Sequence, residues 1–419
     1  MKIAILTSFK EFPPGYSLTG IVKDQIAMLL EAGDEPVLFV VENYNDSKHP
    51  GPRNCEIKKV LPDGHLIDYQ SKGDMKPESK ELAMKTTAAL VEHLQGFDIV
   101  FTHDLIFTGW HVPYGLGIKR ASRQLENIKG WFHWVHSIPS GNRDYWTIKQ
   151  YGPNHKIVFP NATDALRVAE QFRGEINDVR VVPHIKDPRS FFGFGQQALD
   201  IVDKMPNLLQ ADIVQILPAS VDRLHSKRVL EVIRIFANLK LQGHNVALLI
   251  ANQHATTRTT RECVNNYEMY AWNCGLTAGK EFAFTSQLSP EYETGISGQT
   301  IRDLFMLSNL FVFPTREESF GLVVAEAALC GCLLVLNRSL PMQAEISGHN
   351  ALYFDFGSFC INHKIENPEK YFSEIAKIIL GCMSQDAALR LKTFFRIRYN
   401  WTALYKTHYL PMMGEVISL

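Results

Sequence analysis

Short apolar runs of strand length alternate with helical periodicity along most of the chain. Lys2–Leu6 opens as a buried-type strand, and Phe9 to Gly20 follows, rich in Pro, Gly and aromatics. Ile21, Ile26, Leu29 and Leu30 then fall on one helical face, with Gly33 as the stop. Val37–Val41 is the next strand. Helices are predicted at 78–95, 115–126 and 163–172, and strands at 98–104, 131–136, 156–159 and in 179–187. Strand, glycine loop, helix, strand is the opening of a doubly wound α/β domain. The stretch 188–209 has no strong periodicity and reads as a linker. A second series follows, with strands at 212–217, 246–250, 282–284, 310–313 and 333–336. Helices are expected from Val229 to Leu241, at 300–308 and at 367–381, and loops at 286–299 and 337–349. From Ala387 to about Met412 the chain is helical and aromatic.

The densest pattern runs from Phe313 to Gly331. An apolar strand is stopped by Pro314 and Thr315, and Glu317, Glu318 and Ser319 make a polar loop. Phe320-Gly321 is turn-like, and Leu322 to Leu329 are good helix formers with Gly331 where a C-cap belongs. Gly321 lets backbone approach a ligand, and the first-turn N–H groups can receive an anion. Glu318 and Glu326 can accept hydrogen bonds from hydroxyls. A negative ligand with many hydroxyls suits this stretch.

At 419 residues, two domains of roughly 200 residues each are the natural expectation. The boundaries read as 1–190, a linker at 191–211, a second domain at 212–395, and a terminal helix at 396–419 returning to the first domain. A net charge of −1 makes the molecule no trap for nucleic acid or anionic lipid as a whole. Residues 1–116 carry 11 Lys/Arg against 16 Asp/Glu, whereas 117–189 carry 12 against 7, so a basic surface is expected there. Seven cysteines form no Cys-x-x-Cys pair, which points to buried free thiols rather than a disulfide framework or zinc site. No apolar run approaches a membrane span. The first strand begins too soon for a signal peptide, so the cytoplasm is the expected compartment.

Other candidates stand at predicted strand ends, where open α/β sheets hold ligands. They are His103 and Asp104 after one strand, and His136 after another. Gly20 suits a phosphate or sugar lying against a helix start, and fits a plain strand-to-helix turn equally. The loop before it lacks Gly-x-Gly-x-x-Gly, so a dinucleotide cofactor is not favoured. Arg223 and Lys227 lie in a loop feeding a helix N-terminus, where the dipole favours anions rather than cations. An incoming diphosphate would neutralise them, and solvated surface charge is the bland alternative. Lys119, Arg120, Arg123 and Arg143 interleave with Trp131, Phe132, Trp134, Tyr145 and Trp146. That mixture suits nucleic acid or a sugar polymer, or else a basic helix beside core aromatics.

With both halves placed, the pattern resembles the GT-B glycosyltransferases, specifically the retaining group called glycosyltransferase family 4. Glu318 and Glu326 are similar to its Glu-x7-Glu motif, and Phe320-Gly321 to its Phe-Gly pair. Ala325 to Gly331 looks like its Glu-Ala-Met-Ala-Cys-Gly run, and Val181 to Asp187 stands where it reads Val-Ile-Pro-Asn-Gly-Val-Asp. The resemblance implies two Rossmann-like domains facing each other across a cleft, with the Trp401 helix crossing back. It implies that Glu326 binds ribose hydroxyls, and that Glu318 with Phe320-Gly321 holds the transferred sugar. Arg223 and Lys227 would stabilise the diphosphate, with His136 and Gly20 against sugar and phosphate. Glu345 is a further donor-side candidate. His103, Asp104, Arg120, Arg123, Arg143 and Trp146 are acceptor-side candidates.

The implied reaction moves a sugar from a UDP- or GDP-linked donor to a hydroxyl, with retention. It needs no cofactor, and with no Asp-x-Asp motif in the chain, basic side chains take a metal's role. A glycan or lipid-linked glycan is the favoured acceptor, and a hydroxymethylated DNA base the second. A nucleotide-sugar epimerase of the same fold and a non-catalytic nucleotide-sugar-binding protein are the alternatives. The sequence departs from the family where Arg228 replaces a Gly after Lys227, where Arg223 and Lys227 are one residue closer than usual, and where Thr19-Gly20 replaces Gly-Gly. His184 replaces an Asn, which is expected to affect only the turn.

Overall fold

A computed structural model describes residues 1–64, 69, 72–106, 111–137 and 147–417. The chain divides into two compact units, Met1–Lys186 with Trp401–Leu419, and Asp187–Asn400.

The first unit is built on seven strands: β1 Lys2–Leu6, β2 Glu35–Val41, β3 Glu56–Leu61, β4 Ile99–His103, β5 Gly130–Trp134, β6 His155–Phe159 and β7 Val179–Val181. All pair in parallel, in the order β3-β2-β1-β4-β5-β6-β7. Alternate residues of each strand point to opposite faces. Ala4, Leu6, Trp131 and Ile157 enter a core shared with helices Pro77–His93 and Val112–Ser122. Ile3, Ile5, Phe132 and Trp134 enter a second core with helix Ser17–Glu31 and the C-terminal residues Leu404, Tyr409, Met412 and Met413. The direction of winding reverses between β1 and β4, which opens a crevice at the carboxyl ends of those strands.

The second unit holds β8 Ile213–Ser220, β9 Val246–Gln253 and β10 Phe282–Phe284 as one parallel sheet, and β11 Leu310–Phe313, β12 Leu333–Asn337 and β13 Leu352–Phe354 as another. The two sheets meet at β8 and β11 through side-chain amides. Gln215 Nε2 donates to the Val312 carbonyl at 2.9 Å, and Gln215 Oε1 accepts from the Val312 N–H at 2.8 Å. Asn309 repeats the device one step back, its Oδ1 accepting from the Val214 N–H at 2.9 Å. Both amides are fully buried. The winding reverses here too, so the loops after β8 and β11 flank the crevice of this unit.

Several expectations are corrected. The stretch 191–211 is no open linker: helices Gln196–Lys204 and Asn207–Gln210 occupy it and belong to the second unit, with Ala198, Ile201 and Val202 buried at helical spacing. The return to the first unit begins at Trp401 rather than 396. Strand β3 was not expected. It is an edge strand, and Lys58 and Lys59 break its apolar alternation while guarding the open edge. The 337–349 stretch is not all loop, because Pro341 starts a helix that runs to Ser347, as proline at a first helical position can. Helix Ser17–Glu31 begins four residues before the expected start, so Gly20 lies within its first turn. All seven cysteines are free, but only Cys332 is buried, and burial pushes its thiol up to about 12. Among the described residues no helix is long and apolar enough to cross a membrane.

Candidate active site

The crevice of the second unit gathers its charged groups by backbone stitching. After β8 a turn at Val221–Arg223 leads through Lys227 to helix Val229–Leu241. After β11 the chain runs from Pro314 to Gly321 before helix Leu322–Leu329. The Ser226 carbonyl accepts from the Arg316 N–H at 2.8 Å and from the Thr315 hydroxyl at 3.3 Å, which ties the two loops together. Asn337, buried at the end of β12, donates to the Thr315 carbonyl at 2.9 Å and the Gly357 carbonyl at 2.7 Å.

This stitching brings Lys227 Nζ to 2.7 Å from Glu318 Oε2, with side-chain exposures of 11% and 18%. The ammonium also lies 4.8 Å from the centre of the Phe313 ring. Burial alone raises the Glu318 carboxyl. The hydrogen bond and charge of Lys227, the Ser319 N–H and the Arg223 charge outweigh it and hold Glu318 below the ordinary carboxylate value. Arg223 is half exposed and pairs with Glu317 at 3.1 Å. Arg228 explains one departure from the family pattern. It sits in left-handed backbone with φ of 55°, a conformation suited to glycine, and its guanidinium pairs with Glu231 at 2.5 Å.

Gly321 begins the next helix at φ of 82°, and a Cβ there would meet Val324 Cγ2 at 3.3 Å and Glu318 Cγ at 3.4 Å. The glycine is therefore needed for both its backbone and its closeness to Glu318. At the other end the Gly331 N–H reaches the Ala328 carbonyl and the Cys332 N–H the Ala327 carbonyl, the paired bonds of a Schellman cap. Glu326 lies on that helix with its carboxylate in solvent, and Phe320 is exposed at the helix entrance. Glu345 is exposed on helix Pro341–Ser347.

The first unit brings His103, Asp104 and His136 together at the ends of β4 and β5. His103 Nδ1 is 2.9 Å from His136 Nε2, with the ring planes 12° apart. His103 Nε2 is 2.9 Å from Gln25 Oε1, and Gln25 Nε2 donates to the Tyr409 hydroxyl at 2.9 Å. The His136 N–H donates to Asp104 Oδ1 at 3.1 Å. Burial pushes Asp104 up to about 6 against the pull of that N–H, and its φ is 55°. Burial, with His184 adding repulsion, pushes His136 down to about 3. Gly20 is exposed, and a Cβ there would meet nothing, so the chain's own packing does not require it.

Arg120 and Arg123 do not join this group. Helix Val112–Ser122 starts near the carboxyl ends of the strands and, as in any parallel crossover, its far end returns toward the amino edge. Arg123 there donates to the Gln150 carbonyl at 3.2 Å. Arg143 and Trp146 lie outside the described residues. Trp131, Phe132 and Trp134 are buried in the two cores, and Lys156 and Arg180 are paired with Asp178 and Glu415, as Lys149 is with Glu175.

Residues 215–380 match the family model described as Glycosyl transferases group 1. The chain carries a glycosyl transferases group 1 domain. This domain spans Arg223, Lys227, Glu318 and Glu326 together. No curated protein matches the chain. Solved structures similar to it include a glycosyltransferase from Rickettsia africae ESF-5, at 13% identity over 99% of this chain and 98% of that one, with a TM-score of 0.38. Anabaena Alr3699/HepE in complex with UDP is similar at 14% identity over 100% of both chains, TM-score 0.32. Sucrose-phosphate synthase from Thermosynechococcus elongatus is similar at 16% identity over 100% and 98%, TM-score 0.33.

Four residues of the two crevices were not singled out from sequence. Arg316 joins the group 1 domain's crevice through its own N–H, and its Nε is buried without a partner. Gln25 reaches His103, and Tyr409 reaches Gln25, from helices at opposite ends of the chain, which no local pattern signals. His184, expected to matter only to a turn, has its ring 5.1 Å from that of His136. The correction follows from β7 ending beside β6, which points the turn after it toward the same crevice.

Proposed function

We propose that the protein is a retaining glycosyltransferase. It moves a sugar from a UDP- or GDP-linked donor to a hydroxyl acceptor, a glycan or lipid-linked glycan. The observation that carries this reading is the Lys227–Glu318 pair, held at the switch point of a group 1 domain. A buried cation beside a half-buried carboxylate, next to the first-turn N–H groups at Gly321, offers one set of groups to a diphosphate and another to sugar hydroxyls.

In this reading the bond between the anomeric carbon and the β-phosphate oxygen breaks, and the electron pair stays with the phosphate. Lys227, with Arg223 from the loop rim, stabilises that growing charge. Glu318 and the backbone at Phe320-Gly321 hold the sugar, and Glu326 binds the ribose. The acceptor oxygen bonds to the anomeric carbon on the leaving-group face, and its proton passes to the departing phosphate. His136 contacts the sugar, Gly20 leaves room for the donor, and Asp104 receives the acceptor. Glu345 has an outer donor-side role. The cations do the electrostatic work without a metal or other cofactor.

A DNA acceptor finds less support. Trp131, Phe132 and Trp134 of the 119–149 segment are core residues, Lys149 pairs with Glu175, and Lys119 and Arg123 bond to Gln150. The test is a thermal-shift screen of UDP, GDP, ADP and their sugars, followed by proton NMR of the product's anomeric centre. A shift with one nucleotide and a product of unchanged configuration are expected. An altered sugar still attached to its nucleotide would instead establish an epimerase, and binding without turnover a non-catalytic protein.

A further inference from the structure

The first unit contains a row of hydrogen-bonding side chains drawn from four separate parts of the chain: Tyr409, Gln25, His103 and His136. Its three links are each 2.9 Å long. Tyr409, Gln25 and His103 are buried, and Tyr409 is further fixed by packing on Trp134, with ring centres 5.7 Å apart. At the far end His136 Nδ1 is buried and has no partner among the described residues.

Donors and acceptors along such a row must alternate. Gln25 commits its amide nitrogen to the Tyr409 hydroxyl and so turns its oxygen to His103. That oxygen only accepts, so the His103 proton is on Nε2. A buried imidazole stays neutral, which leaves His103 Nδ1 as a bare lone pair. His136 Nε2 must then carry the proton, and His136 Nδ1 is bare. Among the described residues the groups facing His136 are His103, His184 and the Asp104 carboxylate.

We propose that Tyr409 and Gln25 are positioning residues that set the tautomer of His136, so that its free Nδ1 offers a lone pair to a hydroxyl of the donor sugar and turns away phosphate oxygen. The C-terminal segment would thereby control a site residue it does not touch. Only the last step, contact with a sugar hydroxyl, rests on the function proposed above.

Nitrogen NMR of histidine-labelled full-length protein tests the row without any ligand, with the His136 signals assigned by their loss in His136→Asn. The expected spectrum has a bare Nδ1 and a protonated Nε2 for His136, and the same for His103. A protonated Nδ1 on His136 overturns the proposal. Tyr409→Phe keeps the ring on Trp134 but removes the acceptor that fixes the Gln25 amide. It is expected to mix or invert the two tautomers and to raise the donor KM by about tenfold. Gln25→Leu serves as a second break in the row should the first variant fold poorly. Unchanged His136 signals in folded variants overturn the roles of Tyr409 and Gln25. If the spectra behave as expected while His136→Asn leaves the donor KM unchanged, the sugar contact fails and the row stands.

Discussion

Lys227 and Glu318, from loops 91 residues apart, meet at 2.7 Å and satisfy one another. In the proposed reaction a donor would exchange this contact for its own, the ammonium going to phosphate and the carboxylate to hydroxyls. Binding costs the pair and regains two charge-assisted contacts. Lys227→Ala is expected to lower kcat by about 10²–10³-fold at saturating donor, the loss typical of one fixed transition-state donor. Steady-state kinetics with the donor from the thermal-shift screen checks this, and undiminished kcat would remove Lys227 from its role.

Arg223 differs from Lys227 in exposure, and its variant should differ in kind. Its pair with Glu317 is half exposed, so Arg223→Ala should change stability by less than about 0.5 kcal/mol. Donor affinity should still fall, because the charge of the same guanidinium is felt at Glu318. Chemical denaturation and donor titration on one preparation separate the two effects.

The left-handed backbone at Arg228 makes a comparison between two substitutions sharper than either alone. Arg228→Ala and Arg228→Gly both lose the Glu231 pair, but only alanine keeps a Cβ at φ of 55°. The glycine variant should be the more stable by about 1 kcal/mol. Equal midpoints in urea would mean that the backbone relaxes.

Acid should act on the first unit through groups of opposite sign. His133 and His136 are pushed down to about 3 by burial from an ordinary 6.5. The stability they contribute is complete above pH 6.5 and is lost as the pH falls toward 3. Asp104, pushed up to about 6 from 3.8, works against them, because its burial penalty is relieved as the pH falls through that window. The melting temperature should drop on acidification below pH 6.5. Asp104→Asn should make the drop between about pH 6 and pH 4 steeper. A shallower drop in that variant would contradict the assignment.

Much of the alternation of strand and helix was legible because buried parallel strands are continuous apolar runs such as Val37–Val41 and Leu310–Phe313. Edge strands β3 and β13 escaped for the converse reason: one carries lysines and the other has three residues. Helix Gln196–Lys204 was hidden by the glycines before it and the proline after it, although its apolar spacing is regular. Lys227 and Glu318 were legible as candidates because each follows a strand, and the fold brings them together. The Gln25–Tyr409 contact spans 384 residues and depends on two helices packing on one sheet face, which no window along the chain contains. Arg120 and Arg123 show the opposite error, since nearness in sequence to a strand end does not survive the length of a helix.

Gln215 lies under the Lys227–Glu318 pair in the sense that it joins the two strands whose ends carry them. Elsewhere in these sheets the spacing between strands is fixed by the peptide backbone and is the same in every protein. Between β8 and β11 a side-chain amide is inserted beside the backbone bond from the Asn309 N–H to the Val214 carbonyl, and a side chain can be inherited and altered like any other residue. Asparagine, one methylene shorter, would draw β8 and β11 together or leave Val312 unpaired. The distance across the crevice is in this way written partly in two side chains, Gln215 and Asn309.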